Sequence, residues 1–144
     1  MKINNTKNFS STALVELFSS VDWLGDTNPA VLQSAMLHST RVFSAWDGDK
    51  LVGLIRSMDD GCYSANIDCL LVHSDYQKQG IATQLLNRLL EDLKSVEFVS
   101  VSPNLRSNFG LYQNVGFEEV CTGGLLQLDW RKYNEIIEAK EADT

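Results

Sequence analysis

Between Gly80 and Leu93 the chain changes period. Ile81, Ala82, Leu85, Leu86, Leu89, Leu90 and Leu93 recur every three or four residues, the broad apolar stripe of a helix lying on a sheet. Just before it, Ile67-Asp68-Cys69-Leu70-Leu71-Val72 reads as a buried strand that runs through a tight polar loop straight into the helix. Such a strand–loop–helix unit needs a sheet beneath it and a parallel partner strand beyond it. A helical bundle is excluded, and a single crossover does not make a doubly wound sheet.

The other elements follow from local chemistry. A short strand is expected near Lys2 to Asn5, a helix over Ser11 to Phe18, and a second helix opened by Asn28 as cap with Pro29 in its first turn. Arg41 to Trp46 and Leu51 to Ser57 flank Asp47-Gly48, a hairpin signal. Tyr63 to His73 continues the meander after Asp59-Asp60-Gly61. Glu97 to Val101 reads as a strand, Ser107 to Val115 as a helix ended by Gly116, and Phe117 to Cys121 with Leu125 to Trp130 as a closing strand pair. Glu135 to Thr144 reads as a frayed helix or a tail. The predicted class is α+β: a mixed, mostly antiparallel sheet of about six to seven strands with about four helices and one parallel crossover.

At 144 residues, 44% of them hydrophobic, the chain suits one domain with a real core over residues 1–144. The start has no apolar signal segment and the apolar runs are short, so a soluble cytoplasmic protein without a membrane partner is expected. Three cysteines without CxxC spacing and two histidines argue against disulfides and a metal site. The net charge of -7 argues against nucleic acid as a partner. It fits a cationic substrate, and equally the ordinary need of a protein to stay in solution.

The loop from Gln77 to Ala82 lies at a helix start, where free backbone amides and the positive end of the helix dipole can hold an anion such as pyrophosphate. Gly80 admits phosphate to the backbone, Ala82 keeps the first turn narrow, and Lys78 or Gln77 can add a charge or a donor. The loops GxxxxGK[ST] and GxGxxG are absent, which disfavours nucleotide-hydrolysing and dinucleotide-binding proteins.

Gln77-x-x-Gly80-x-Ala82, behind its apolar strand, resembles the Q/R-x-x-G-x-G/A signature of the GNAT acetyltransferases. Leu111-Tyr112-Gln113-Asn114-Val115-Gly116-Phe117 is similar to the same family's later L-Y-x-x-x-G-F block, and the resemblance spans about Arg41 to Leu128. It implies a GNAT fold that moves an acetyl group from acetyl-CoA to a primary amine of a small molecule, without a metal. It also implies a V-shaped opening between the strand ending near Val72 and the strand Glu97 to Val101. Pyrophosphate would lie on Gln77, Lys78, Gln79, Gly80, Ile81 and Ala82, while backbone groups of Leu71 and Val72 hold pantetheine and polarise the acetyl carbonyl. Tyr112 matches the family's general acid, against a plain packing role for its ring. Asn104 and Asn108 lie where relatives often contact CoA with an Asn, although Leu105 occupies the commonest position.

An alkylammonium with a pKa near 10 is roughly 0.1% neutral at pH 7, so a base is useful. Asp68 is the leading candidate, against an exposed structural role. Strand alternation places it and Cys69 on opposite faces. Cys69 and His73, roughly 13 Å apart on an extended strand, do not make a nucleophile–base pair. Trp23 and Trp46 are either pocket walls or core. The rivals to a small-molecule enzyme are a protein or peptide N-acetyltransferase and a noncatalytic CoA-binding module. Relatives that pair through sheet edges or C-terminal strands make a homodimer the expectation by analogy.

Overall fold

The computed structural model describes residues 1–103, 106–120 and 124–143, with the backbone alone at Arg106. Along the chain run β1 (Lys2–Asn4), α1 (Ser11–Ser20), α2 (Pro29–His38), β2 (Arg41–Asp47), β3 (Lys50–Asp59), β4 (Ser64–Val72) and α3 (Ile81–Asp92). There follow β5 (Phe98–Val101), α4 (Phe109–Gln113), β6 (Phe117–Glu119), β7 (Leu126–Leu128) and α5 (Trp130–Ala142). One seven-stranded sheet has the order β1-β2-β3-β4-β5-β7-β6. Its pairs are antiparallel except β4 with β5, which α3 connects.

Each face of the sheet is covered by a different set of helices. Leu14, Leu17 and Phe18 of α1 and Met36 of α2 pack with Val42, Leu51, Leu54 and Leu71 on one face. The α3 stripe, including Leu85, Leu86, Leu89 and Leu90, packs with Val52, Ile55 and Ile67 on the other, where Tyr112 of α4 and Tyr133 of α5 join it. Strand alternation sorts the side chains between the two layers. No helix among the described residues is long and apolar enough to cross a membrane.

Caps set the boundaries. Ser10 Oγ accepts from the Ala13 amide and Asn28 Oδ1 from the Ala30 amide. The predicted last strand stops two residues early, because Asp129 Oδ1 accepts from the amide of Arg131 at 2.9 Å and starts α5 at Trp130. The charged C-terminal stretch is thus a helix, held by buried Tyr133 and by the Trp130 indole donating to the Val96 carbonyl at 2.9 Å. The predicted helix at Ser107 to Val115 is shorter: a 3-10 turn, Arg106–Asn108, leads into α4.

Gly116 ends α4 with φ +110°, and a Cβ there would stand 2.9 Å from the Tyr133 amide nitrogen and 3.2 Å from its Cα. Both atoms are backbone of a packed helix and cannot yield cheaply. Gly116→Ala is expected to lower the unfolding free energy by about 1–3 kcal/mol, read from urea denaturation as a lower midpoint at unchanged slope.

Candidate active site

The site begins with a break in β4. Leu54 is opposite Leu71 but Arg56 is opposite Asp68, so Cys69 and Leu70 together face the single residue Ile55. This is a β-bulge, and Cys69 takes it up with φ +54°. The bulge corrects the alternation expected from sequence. Asp68 shares a face with Arg56, whose guanidinium reaches Ser39 at the end of α2, and Cys69 packs into the same α1–α2 layer. The two side chains are therefore on one face and not on two.

β5 pairs with β4 only from Ser64↔Phe98 to Ile67↔Val101, so β4 beyond Ile67 has no β5 neighbour. The His73 amide donates to the Val52 carbonyl at 2.8 Å, toward β3. With Leu54 opposite Leu71 and Gly53 opposite Val72, alternation turns the Leu71 amide toward β3 as well. The amides of Leu70 and Val72 turn to the open side. Gln77 Nε2 donates to the Val72 carbonyl at 3.1 Å, fastening the loop to the strand end.

The loop enters α3 through Lys78 at φ +63° and Gly80 at φ +82°. Gln84 N to Gly80 O, 3.0 Å, is the first bond of the helix, so the amides of Ile81, Ala82 and Thr83 have no acceptor within it. No side chain among the described residues caps them.

These parts meet in a cleft of about 550 Å³, where Leu70, Leu71, Val72, Gln77, Lys78, Gly80 and Ala82 line one stretch and Asn108, Leu111 and Tyr112 another. Val21, Trp23 and Thr83 also line it. Tyr112 is 5% exposed and meets the Phe117 ring edge-on at 5.5 Å. Its hydroxyl makes no hydrogen bond to a described residue. Burial, and secondarily the Asp68 charge, raise its pKa well above the ordinary phenol value, so the phenol keeps its proton at neutral pH. Packing and cleft lining thus coexist at Tyr112.

Asp68 lies at the bulge outside the residues that line the cleft. Its Oδ2 accepts from Arg56 Nη2 at 2.8 Å and its Oδ1 from the Cys69 amide at 2.7 Å. Burial, with the Asp68 charge next, pushes the Cys69 thiol up to about 11, which removes it as a thiolate nucleophile at neutral pH. His73 is buried, and its Nδ1 accepts from the Asp75 amide at 3.1 Å. That bond occupies the ring in capping the loop. Among the described residues no group of three or more His, Cys, Asp or Glu is gathered as a metal ion needs.

Residues 14–125 match the sequence profile of the acetyltransferase (GNAT) domain. The chain belongs to the GNAT acetyltransferase family. Its fold and its acyltransferase class are those of that family. The uncharacterized N-acetyltransferase ycf52 of Porphyra purpurea is 27% identical over 123 residues, which are 80% of this chain and 68% of that protein. GCN5-related N-acetyltransferase 2, chloroplastic, of Arabidopsis thaliana is 33% identical over 97 residues, 62% of this chain and 38% of that protein. A GNAT family acetyltransferase structure from Streptococcus pneumoniae TIGR4 superposes with a TM-score of 0.72 at 33% identity, covering 85% of this chain and 93% of that one.

Within this GNAT cleft eight of the residues singled out from sequence come together: Leu71, Val72, Gln77, Lys78, Gly80, Ala82, Asn108 and Tyr112. Gln79 is exposed outside the lining, Ile81 faces the core, and Asn104 lies outside the described residues. Sequence reasoning missed Val21, Leu70, Thr83 and Leu111. Trp23, at 38% exposure, is a cleft wall, whereas Trp46 stacks on Phe9 and donates to Ser44 Oγ at 2.9 Å.

Proposed function

We propose that this enzyme acetylates a primary amine of a small molecule by direct attack, with acetyl-CoA as donor. The observation that carries the reading is one cleft holding three things: a helix start that no described side chain caps, the open amide edge of a bulged strand, and a buried phenol whose hydroxyl has no hydrogen-bond partner among the described residues. The donor set fits a CoA pyrophosphate, because the amides of Ile81, Ala82 and Thr83 stand beside the cation of Lys78. When bound, acetyl-CoA supplies an activated acyl carbonyl and a sulfur leaving group.

Everything else is the work of this chain. The Leu70 and Val72 amides stand preorganised at the open strand edge for the carbonyl oxygen where negative charge develops. Tyr112 Oη donates its proton toward the departing sulfur, and the raised pKa keeps that proton in place until it is needed. Asp68, half exposed and outside the cleft lining, takes through intervening water the proton that the amine nitrogen loses as its bond to carbon forms. Asp68 then releases its proton to solvent and Tyr112 takes one back from solvent, so protons balance. Val21 and Trp23 give the cleft an apolar wall, which suits the body of a small amine. Two compartments suit this chemistry, the cytoplasm and, by the name of the Arabidopsis relative, the plastid.

The test is acetyl-CoA-dependent thiol release against polyamines, aminoglycosides, arylalkylamines, amino acids and Lys peptides, with the product mass measured. Release with one small-amine class names the acceptor. Release with Lys peptides alone would replace the small molecule with a protein acceptor, and bound acetyl-CoA with no release anywhere would leave a binding module.

A further inference from the structure

At the bulge of β4 stands a charged residue that is not among those lining the cleft. Arg56 stands opposite Asp68 on β3, its side chain 19% exposed. Nη1 donates to Ser39 Oγ at 3.3 Å and Nη2 to Asp68 Oδ2 at 2.8 Å. Ser39 is itself held, with Oγ donating to the Ala35 carbonyl of α2 at 2.7 Å. The guanidinium is thus a strut from the end of α2 to the carboxylate. The other oxygen, Oδ1, accepts from the amide of Cys69, the residue in the left-handed conformation, at 2.7 Å.

This arrangement is a poor way to gain stability. An ion pair whose carboxylate is half exposed contributes about 0–1 kcal/mol, and Arg56 Nε is buried with no hydrogen-bond partner among the described residues, a cost in itself. What two donors on two different oxygens achieve is orientation: the plane of the carboxylate is set while about half of the side chain stays exposed. The Asp68 charge also reaches the phenol in the cleft.

We propose that Arg56 is a positioning residue for acetyl transfer, acting through Asp68 by holding its carboxylate across the bulge. This rests on the reading of Asp68 as the group that takes the amine proton. The test is a double-mutant cycle with Arg56→Ala, Asp68→Asn and the two combined, plus Arg56→Lys, in steady-state acetyl transfer with thermal melts as a fold check.

Arg56→Ala is expected to lower kcat about tenfold, with KM for acetyl-CoA within about twofold. In the Asp68→Asn background the same change is expected to alter kcat less than about twofold, since residues that act as a unit are not additive. Arg56→Lys restores part of the loss, a point charge replacing a fork. Equal losses in both backgrounds would reduce Arg56 to packing and overturn the proposal. Should Arg56→Ala not fold, Arg56→Lys in the two backgrounds decides in the same way. An Asp68→Asn enzyme as fast as the unmodified one fails differently, removing the proton role of Asp68 and the proposal with it while acetyl transfer stands.

Discussion

Tyr112→Phe is expected to lower kcat for acetyl transfer by about 10²–10³, the range of a lost general acid, with KM for acetyl-CoA changed less than about threefold. The substitution removes one oxygen and leaves the ring, which meets Phe117 edge-on and keeps its place in the core. The hydroxyl it removes has no hydrogen-bond partner among the described residues, so folding loses little and the chemistry loses its donor. Steady-state kinetics with the accepted amine, and calorimetry of acetyl-CoA binding, separate the two. An unchanged kcat would end the acid assignment.

The same site has a pH signature. The acting form of Tyr112 is the neutral phenol, and burial raises its pKa above the ordinary value. The active form therefore persists as pH rises, and loss of rate from phenol ionisation lies above pH ~10 rather than at it. A rate that falls away between pH 8 and 9 and does so equally in Tyr112→Phe belongs to another group.

Features set by local chemistry were legible from sequence. The α3 stripe announces itself through its period, the β2–β3 hairpin through Gly48 at φ +60°, and the start of α2 through Asn28 and Pro29. The cleft was legible as far as it depends on the loop and on Tyr112. What escaped depends on distant contacts. The bulge is made by a cysteine in a conformation that favours glycine, and no local signal marks it. Without it, neither the amide of Leu70 nor the shared face of Asp68 and Cys69 can be foreseen. Trp23 reaches the cleft from the connection after α1, where only the assembled fold shows that it is a wall. α5 was obscured by its charges, although Asp129 was a readable cap.

Asp59→Ala is expected to cost about 2–4 kcal/mol of stability, or on the order of 10 °C in melting temperature for a domain of this size. Asp59 has no exposed side-chain surface and accepts from Arg41 Nε at 3.1 Å and Nη2 at 3.4 Å, with Ser57 Oγ donating to the same carboxylate at 2.8 Å. Arg41 Nη1 goes on to the Asp92 carbonyl at 3.2 Å, tying the end of the β2–β3 pair to the end of α3. Removing the carboxylate takes this acceptor from the Ser57 hydroxyl and leaves the largely buried Arg41 guanidinium with the Asp92 carbonyl and, at 3.8 Å, the Asp92 carboxylate as its remaining partners among the described residues. Arg41 is 24% exposed, and partial hydration holds the loss to the lower part of the range for fully buried pairs. Arg41→Met with Asp59→Leu, which removes both charges and keeps the volume, is expected to be more stable than Asp59→Ala. Thermal and urea unfolding of the single and double variants read this directly. A double variant no more stable than the single would show that the pair contributes attraction beyond its desolvation cost.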